Sequence, residues 1–152
     1  ALREVAALGY ERPGLFLSRW SDSYGGWMTK GGFLAEQSGW PKQRRIPPLL
    51  CSDIADPRTN GLEQWLERWK PDCVLCADGR VRDLIKRTGR RIPGDIGLVH
   101  LAWERDVKTW AGVDQGHEAL GGAAVDIVIS QLRRNESGGP SVPRTTSLPG
   151  TW

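Results

Sequence analysis

The chain has 152 residues, the length of one compact domain with a single core. With 39% apolar and 26% charged residues it falls outside the disordered and fibrous classes, and no run approaches the roughly 18 apolar residues of a membrane span. The formal charge of +3 comes from short basic pairs (Arg44-Arg45, Lys86-Arg87, Arg90-Arg91, Arg133-Arg134) with acids between them, the pattern of solvated helix ends and loops and not of a nucleic-acid-binding stripe.

The first predicted element is a helix in which Leu2, Val5 and Ala6 form one apolar face and Gly9 ends it. Gly14-Leu15-Phe16-Leu17 is a short apolar run suited to a strand buried on both faces. A helix is predicted over Tyr24 to Gln37, although Gly25, Gly26, Gly31 and Gly32 weaken it. Residues 38 to 47, with two prolines and several basic residues, read as a surface loop, and Pro48 to Cys51 as a second strand. A clear amphipathic helix follows, with Asn60 as cap, Glu63 three residues on, Leu62, Trp65, Leu66 and Trp69 on one face, and Pro71 as its stop. Cys73 to Cys76 is the third strand and Asp78-Gly79 a turn. Val81, Leu84 and Ile85 mark a helix ending at Gly89, and a turn at 92–95 leads to a fourth strand, Ile96 to Leu101. His117 to Arg133 is a further helix, with Leu120, Ala124, Ile127, Val128 and Leu132 on or near one stripe. Asn135 to Pro143 reads as a loop and Thr145 to Leu148 as a closing strand.

Buried strand alternating with amphipathic helix specifies an α/β fold: an open, mostly parallel sheet with helices on both faces, in three layers. In such sheets ligands bind beyond the carboxyl ends of the strands. The residues there are Ser18, Arg19 and Trp20; Ser52 and Asp53; Ala77 and Asp78; and Ala102, Trp103 and Glu104. Aromatic faces beside hydrogen-bonding groups suit a sugar, whose ring has an apolar C–H face and a hydroxyl rim. Trp20 and Trp103 are the tryptophans at this edge, whereas Trp65 and Trp69 belong to the core.

Other chemistries find less support. Asp53, Asp78 and Glu104 offer oxygen ligands for Mg²⁺ and phosphoryl transfer, but no convincing Lys, Ser or Thr partner accompanies them. Cys73-x-x-Cys76 lies in a predicted strand, where residues three apart point to opposite faces, so it does not chelate a metal. His100 and His117 have no Ser or Cys nucleophile elbow with them, and the glycine pairs do not follow a strand as a dinucleotide loop requires. Three cysteines, an odd number, fit a reducing compartment, so a cytoplasmic location is expected. We expect no enzyme, no cofactor and no bound metal.

Several segments carry a family resemblance. Gly89-Arg90-Arg91-Ile92-Pro93-Gly94-Asp95-Ile96-Gly97-Leu98-Val99 resembles the lactose-repressor family's Gly, two residues, Val-Pro, one residue, Asp and an apolar strand. Pro71-Asp72-Cys73-Val74-Leu75-Cys76-Ala77-Asp78 is similar to its Pro-Asp-strand ending in Asn-Asp. Gly112-Val113-Asp114-Gln115 and Leu120-Gly121-Gly122-Ala123-Ala124 resemble its Thr-Val-x-Gln segment and Leu-Gly-x-x-Ala helix, Leu8-Gly9-Tyr10 its first junction, and Gly32-Phe33 its Gly-Phe pair.

The resemblance implies a transcription regulator with a helix-turn-helix head and two periplasmic-binding-protein-like lobes closing on a small effector, often a sugar. This chain then corresponds to the second lobe over residues 1–152, with the helices at 1–10 and about 116–135 belonging to or contacting a first lobe. Since neither an initiator Met nor a signal peptide stands at Ala1 to Tyr10, a fragment of a longer protein is expected, with DNA binding supplied by a module outside it. Family effector contacts fall on Thr29, Ala77, Ala102, Asp78 and Gln115; the first three replace Arg, Asn and Asp, which removes charge-assisted contacts. The candidate ligand-binding set is Trp20, Thr29, Asp78, Trp103 and Gln115. A homodimer is expected, with no membrane partner. The alternative within the same architecture is the solute-binding component of a sugar transporter.

Overall fold

The computed structural model describes residues 1–56, 61–103, 110–139 and 142–152. It divides into two units, Ala1–Val113 with Trp152, and Asp114–Thr151.

The first unit is an α/β domain. Its sheet has the order β2-β1-β3-β4-β5, with β1 at Pro13–Ser18, β2 at Leu49–Cys51, β3 at Cys73–Cys76, β4 at Gly97–Trp103 and β5 at Ala111–Asp114. β1 pairs parallel with β2 and β3, and β3 with β4; Phe16, for example, lies opposite Leu49 on one side and Cys76 on the other. The connections after β1 run outward to β2, then return across β1 to β3, so the order reverses between β1 and β3. That reversal defines a doubly wound sheet and leaves a crevice beyond the carboxyl ends of those two strands.

Strand alternation explains the two core layers. Phe16, Val74, Cys76 and Leu98 face one side, where α4 (Leu62–Trp69) and α5 (Val81–Arg87) contribute Leu62, Trp65, Leu66, Val81, Leu84 and Ile85. Leu15, Leu17, Cys73, Leu75 and Val99 face the other, beneath α1 (Leu2–Ala7) and α3 (Met28–Ser38), which contribute Leu2, Val5 and Phe33. Cys73 and Cys76 thus lie in opposite layers, as their spacing requires, and burial pushes both thiols up to about 12, so neither is an available thiolate at neutral pH. Gly14 is where the β1 backbone meets a large side chain: a Cβ there would lie 2.3 Å from the Trp65 ring, whose Nε1 donates to the Pro47 carbonyl at 2.8 Å. Trp65 is core, as expected.

The helix predicted over 24–37 starts four residues late, as α3, because Gly25, Gly26 and the left-handed Trp27 (φ 63°) separate it from a further helix, α2 (Arg19–Tyr24), which the sequence reading did not include. Buried Asp22 on α2 takes over the missing cap, accepting from the Lys30 backbone N–H at 3.2 Å in the first turn of α3. Strand β5 was not anticipated, and the strand expected at Thr145 to Leu148 is absent; instead Thr151 bridges Asp114 within the second unit. The Asn60 cap falls outside the described residues. The second unit contains α6 (His117–Arg133), at the predicted position, with none of its residues buried.

Candidate functional site

The carboxyl ends of β1 and β3 are two residues of sequence away from the side chains that define a cleft. β1 ends at Ser18, whose Oγ accepts from the Ser21 N–H at 3.0 Å and so starts α2. That turn projects Trp20 and Ser21 beyond the sheet. β3 ends at Cys76, and the chain turns through Ala77, Asp78 and Gly79 into α5. Leu17, Ser18, Trp20, Ser21, Ile54, Ala77, Asp78 and Arg80 line a cleft of about 170 Å³ at this point.

Two local arrangements give the cleft its character. Trp20 and Tyr24, one helical turn apart on α2, stack with ring centroids 5.3 Å apart and planes 15° from parallel. Both stay open to solvent, Trp20 at 70%. On the other side Asp78 accepts from Arg80 three ways, from the backbone N–H at 2.9 Å, from Nε at 3.0 Å and from Nη2 at 2.6 Å. These bonds hold the Asp78 carboxyl below its ordinary range, since the Arg80 side chain favours the ionised form. The arginine is the more exposed partner, its side chain 62% accessible against 25% for Asp78.

Of the five candidate ligand residues, the structure brings Trp20 and Asp78 together in this cleft. Thr29 lies elsewhere, in a cavity of about 380 Å³ between α1, α3 and the sheet residues Leu15, Leu75 and Leu101. Trp103 ends β4 and packs at β5, where a Cβ added to Gly112 would lie 2.7 Å from the Trp103 Cβ. Gln115 is exposed and belongs to the second unit. Glu104, the third carboxylate of the Mg²⁺ hypothesis, lies outside the described residues. Asp53 accepts from the Ala55 N–H at 2.8 Å, a local turn.

Sequence reasoning missed Arg80. Its signal was present in Asp78-Gly79-Arg80, because an Asp two residues before a backbone N–H forms a turn that returns the following side chain to the carboxylate. His100 is a second unanticipated group. It is buried in β4 opposite Cys76, sits edge-on to Trp110 at 5.5 Å, and leaves Nδ1 without a hydrogen-bond partner among the described residues.

Fold and cleft together define a doubly wound α/β domain with a small crevice at its topological switch point. Comparison with protein-family models, with curated proteins and with solved structures returned no match. Among the described residues, no helix is long and apolar enough to cross a membrane.

Proposed function

We propose that this chain is an effector-sensing lobe of a transcription regulator resembling the lactose-repressor family, binding a small, sugar-like molecule at the β1/β3 crevice. The observation that carries the reading is the meeting of an open aromatic ring, Trp20, with hydrogen-bonding groups of Ser18, Ser21 and Arg80 in one cleft at the switch point. Complete ligand pockets occupy about 300–1,000 Å³. A cleft of about 170 Å³ is the size of one wall of such a pocket, which supports a second lobe closing over it. Effector binding then favours the closed arrangement and shifts the spacing of DNA-binding heads outside this chain.

The phosphoryl-transfer alternative loses ground on chemistry: Asp78 offers its oxygens to Arg80, and a cation would compete with a guanidinium already in place. The exposed apolar residues of α6, among them Leu120, Ile127, Val128 and Leu132, support self-association as a homodimer, and a cytoplasmic setting accords with a regulator.

Titration of the chain with simple sugars tests the sensor reading. The expected outcome is binding weaker than about 1 mM, on the order of 4 kcal/mol, with perturbations at Trp20 and Asp78. Micromolar affinity would overturn the half-cleft argument. Absence of any perturbation at this edge would overturn the site.

A further inference from the structure

The Asp78–Arg80 pair gives the cleft a directional donor. Asp78 occupies the Nε and Nη2 side of the guanidinium. Among the described residues Nη1 has no partner, and the side chain remains 62% exposed while lining the cleft. A guanidinium is planar with five donors, so an arginine held along one edge still presents the other for two parallel bonds. The Ala77 side chain on the same wall is only a methyl group, and Ser18 Oγ already accepts from Ser21, which leaves its O–H to donate. The wall therefore offers donors and an open aromatic face, while its one carboxylate acceptor is engaged.

We propose that the effector carries a carboxylate on a ring: the carboxylate takes the free Nη1–Nη2 edge of Arg80 and the ring lies against Trp20. This rests on the sensor reading above and names its ligand class. Asp78 acts as a positioning residue, fixing the arginine so that little side-chain freedom is lost on binding. A neutral hexose can set two adjacent hydroxyls against the parallel donors but brings no charge, so the cleft discriminates by the strength of the charge-assisted pair. Two kinds of ring share this chemistry, a hexuronate and an aromatic acid.

The experiment is a chemical-shift titration of the ¹⁵N-labelled chain with matched pairs of probes. Galacturonate and glucuronate are set against galactose and glucose, and benzoate against benzamide, each up to tens of millimolar. The expected result is that at least one acid binds about tenfold more tightly than its neutral partner, the gain of one charge-assisted contact, with the largest shifts at Trp20, Ser21 and Arg80. Which acid wins identifies the ring. Arg80→Ala should abolish the preference, Arg80→Lys should retain a minor part of it through charge without the fork, and Asp78→Asn should weaken it while leaving the aromatic contact. Equal binding of acids and neutral partners at this edge would overturn the carboxylate inference and leave the sensor reading standing. Failure of every probe to perturb the edge would overturn both, and a preference that survives Arg80→Ala would overturn the role of the arginine.

Discussion

At the amino ends of the strands, charged side chains hold loops to the sheet; at the carboxyl ends, similar side chains stand half-open around a cleft. Asp72, just before β3, accepts from the backbone N–H groups of Glu11 at 2.6 Å and Arg12 at 3.0 Å, tying the loop ahead of β1 to its neighbour. Arg12 donates to the carbonyls of Trp69 and Gln43, and Arg44 to that of Glu11 at 2.8 Å. Every one of these partners is backbone, so the bonds fix chain path. Beyond the other end, Trp20 and Tyr24 lie open and Arg80 keeps a free edge. Groups engaged with backbone have a structural role; positioned groups with unused donors are where a ligand has something to gain.

The comparison predicts opposite responses to truncation. Asp72→Ala removes a carboxylate that accepts two backbone N–H bonds, and should lower unfolding stability by about 2–3 kcal/mol in chemical denaturation, the scale of hydrogen bonds to a charged group. Arg12→Ala should cost about 1–2 kcal/mol, since it removes two side-chain bonds to carbonyls, of which that of Gln43 is exposed and regains water. The two sites share the Arg12 backbone, so the double variant should depart from additivity. At the carboxyl edge, Trp20→Ala and Arg80→Ala should each change stability by less than about 0.5 kcal/mol while removing ligand-induced shifts. A loss of 2 kcal/mol or more from Arg80→Ala would erase the distinction between the edges.

How much of this was legible in the sequence depended on whether the signal was local. The buried strands and the faces of α4 and α5 follow from apolar periodicity, which burial enforces residue by residue. The switch point did not follow, since strand order is a non-local property that no short window encodes. The predicted 24–37 helix failed at Gly25 to Trp27, where a left-handed turn and the distant cap of Asp22 outweighed helix periodicity. The placement of Trp20 and Asp78 in one cleft was legible because each follows a strand by two residues. Thr29 came from a resemblance, and the structure places it in a separate cavity from that pair.

The second unit stands outside the comparison of edges and contrasts with the first in another way. Its helix α6 exposes Leu120, Val125, Ile127, Val128, Ile129 and Leu132 by 41% or more, while the first unit buries its equivalents in two layers. A broadly apolar helix is ordinarily covered. Ile127→Lys should leave thermal stability within about 0.5 kcal/mol, as at any exposed position, yet reduce the apparent mass in light scattering at high concentration. Monomeric behaviour of the unsubstituted chain would remove the reason to assign α6 a homodimer contact.

The smallest effect sharpens the amino edge by pH. In the turn leading to β4, Asp95 accepts from the Arg91 backbone N–H at 2.8 Å and pairs with its guanidinium at 2.8 Å. The Arg91 side chain lowers the Asp95 carboxyl from the ordinary 3.8 to about 2. A lowered value means that the folded state favours the ionised form, so the contribution is complete above about pH 4 and fades as pH falls towards 2. Both groups are well exposed, so salt screens the ion pair and the effect is small. Arg91→Ala should return the Asp95 titration, followed by carboxyl NMR, towards its ordinary range. The stability gap between the two proteins should be widest near neutrality and close on acidification. A gap that held constant down to pH 2 would mean that Arg91 supports the turn through packing, and that this corner of the amino edge is not electrostatically fixed.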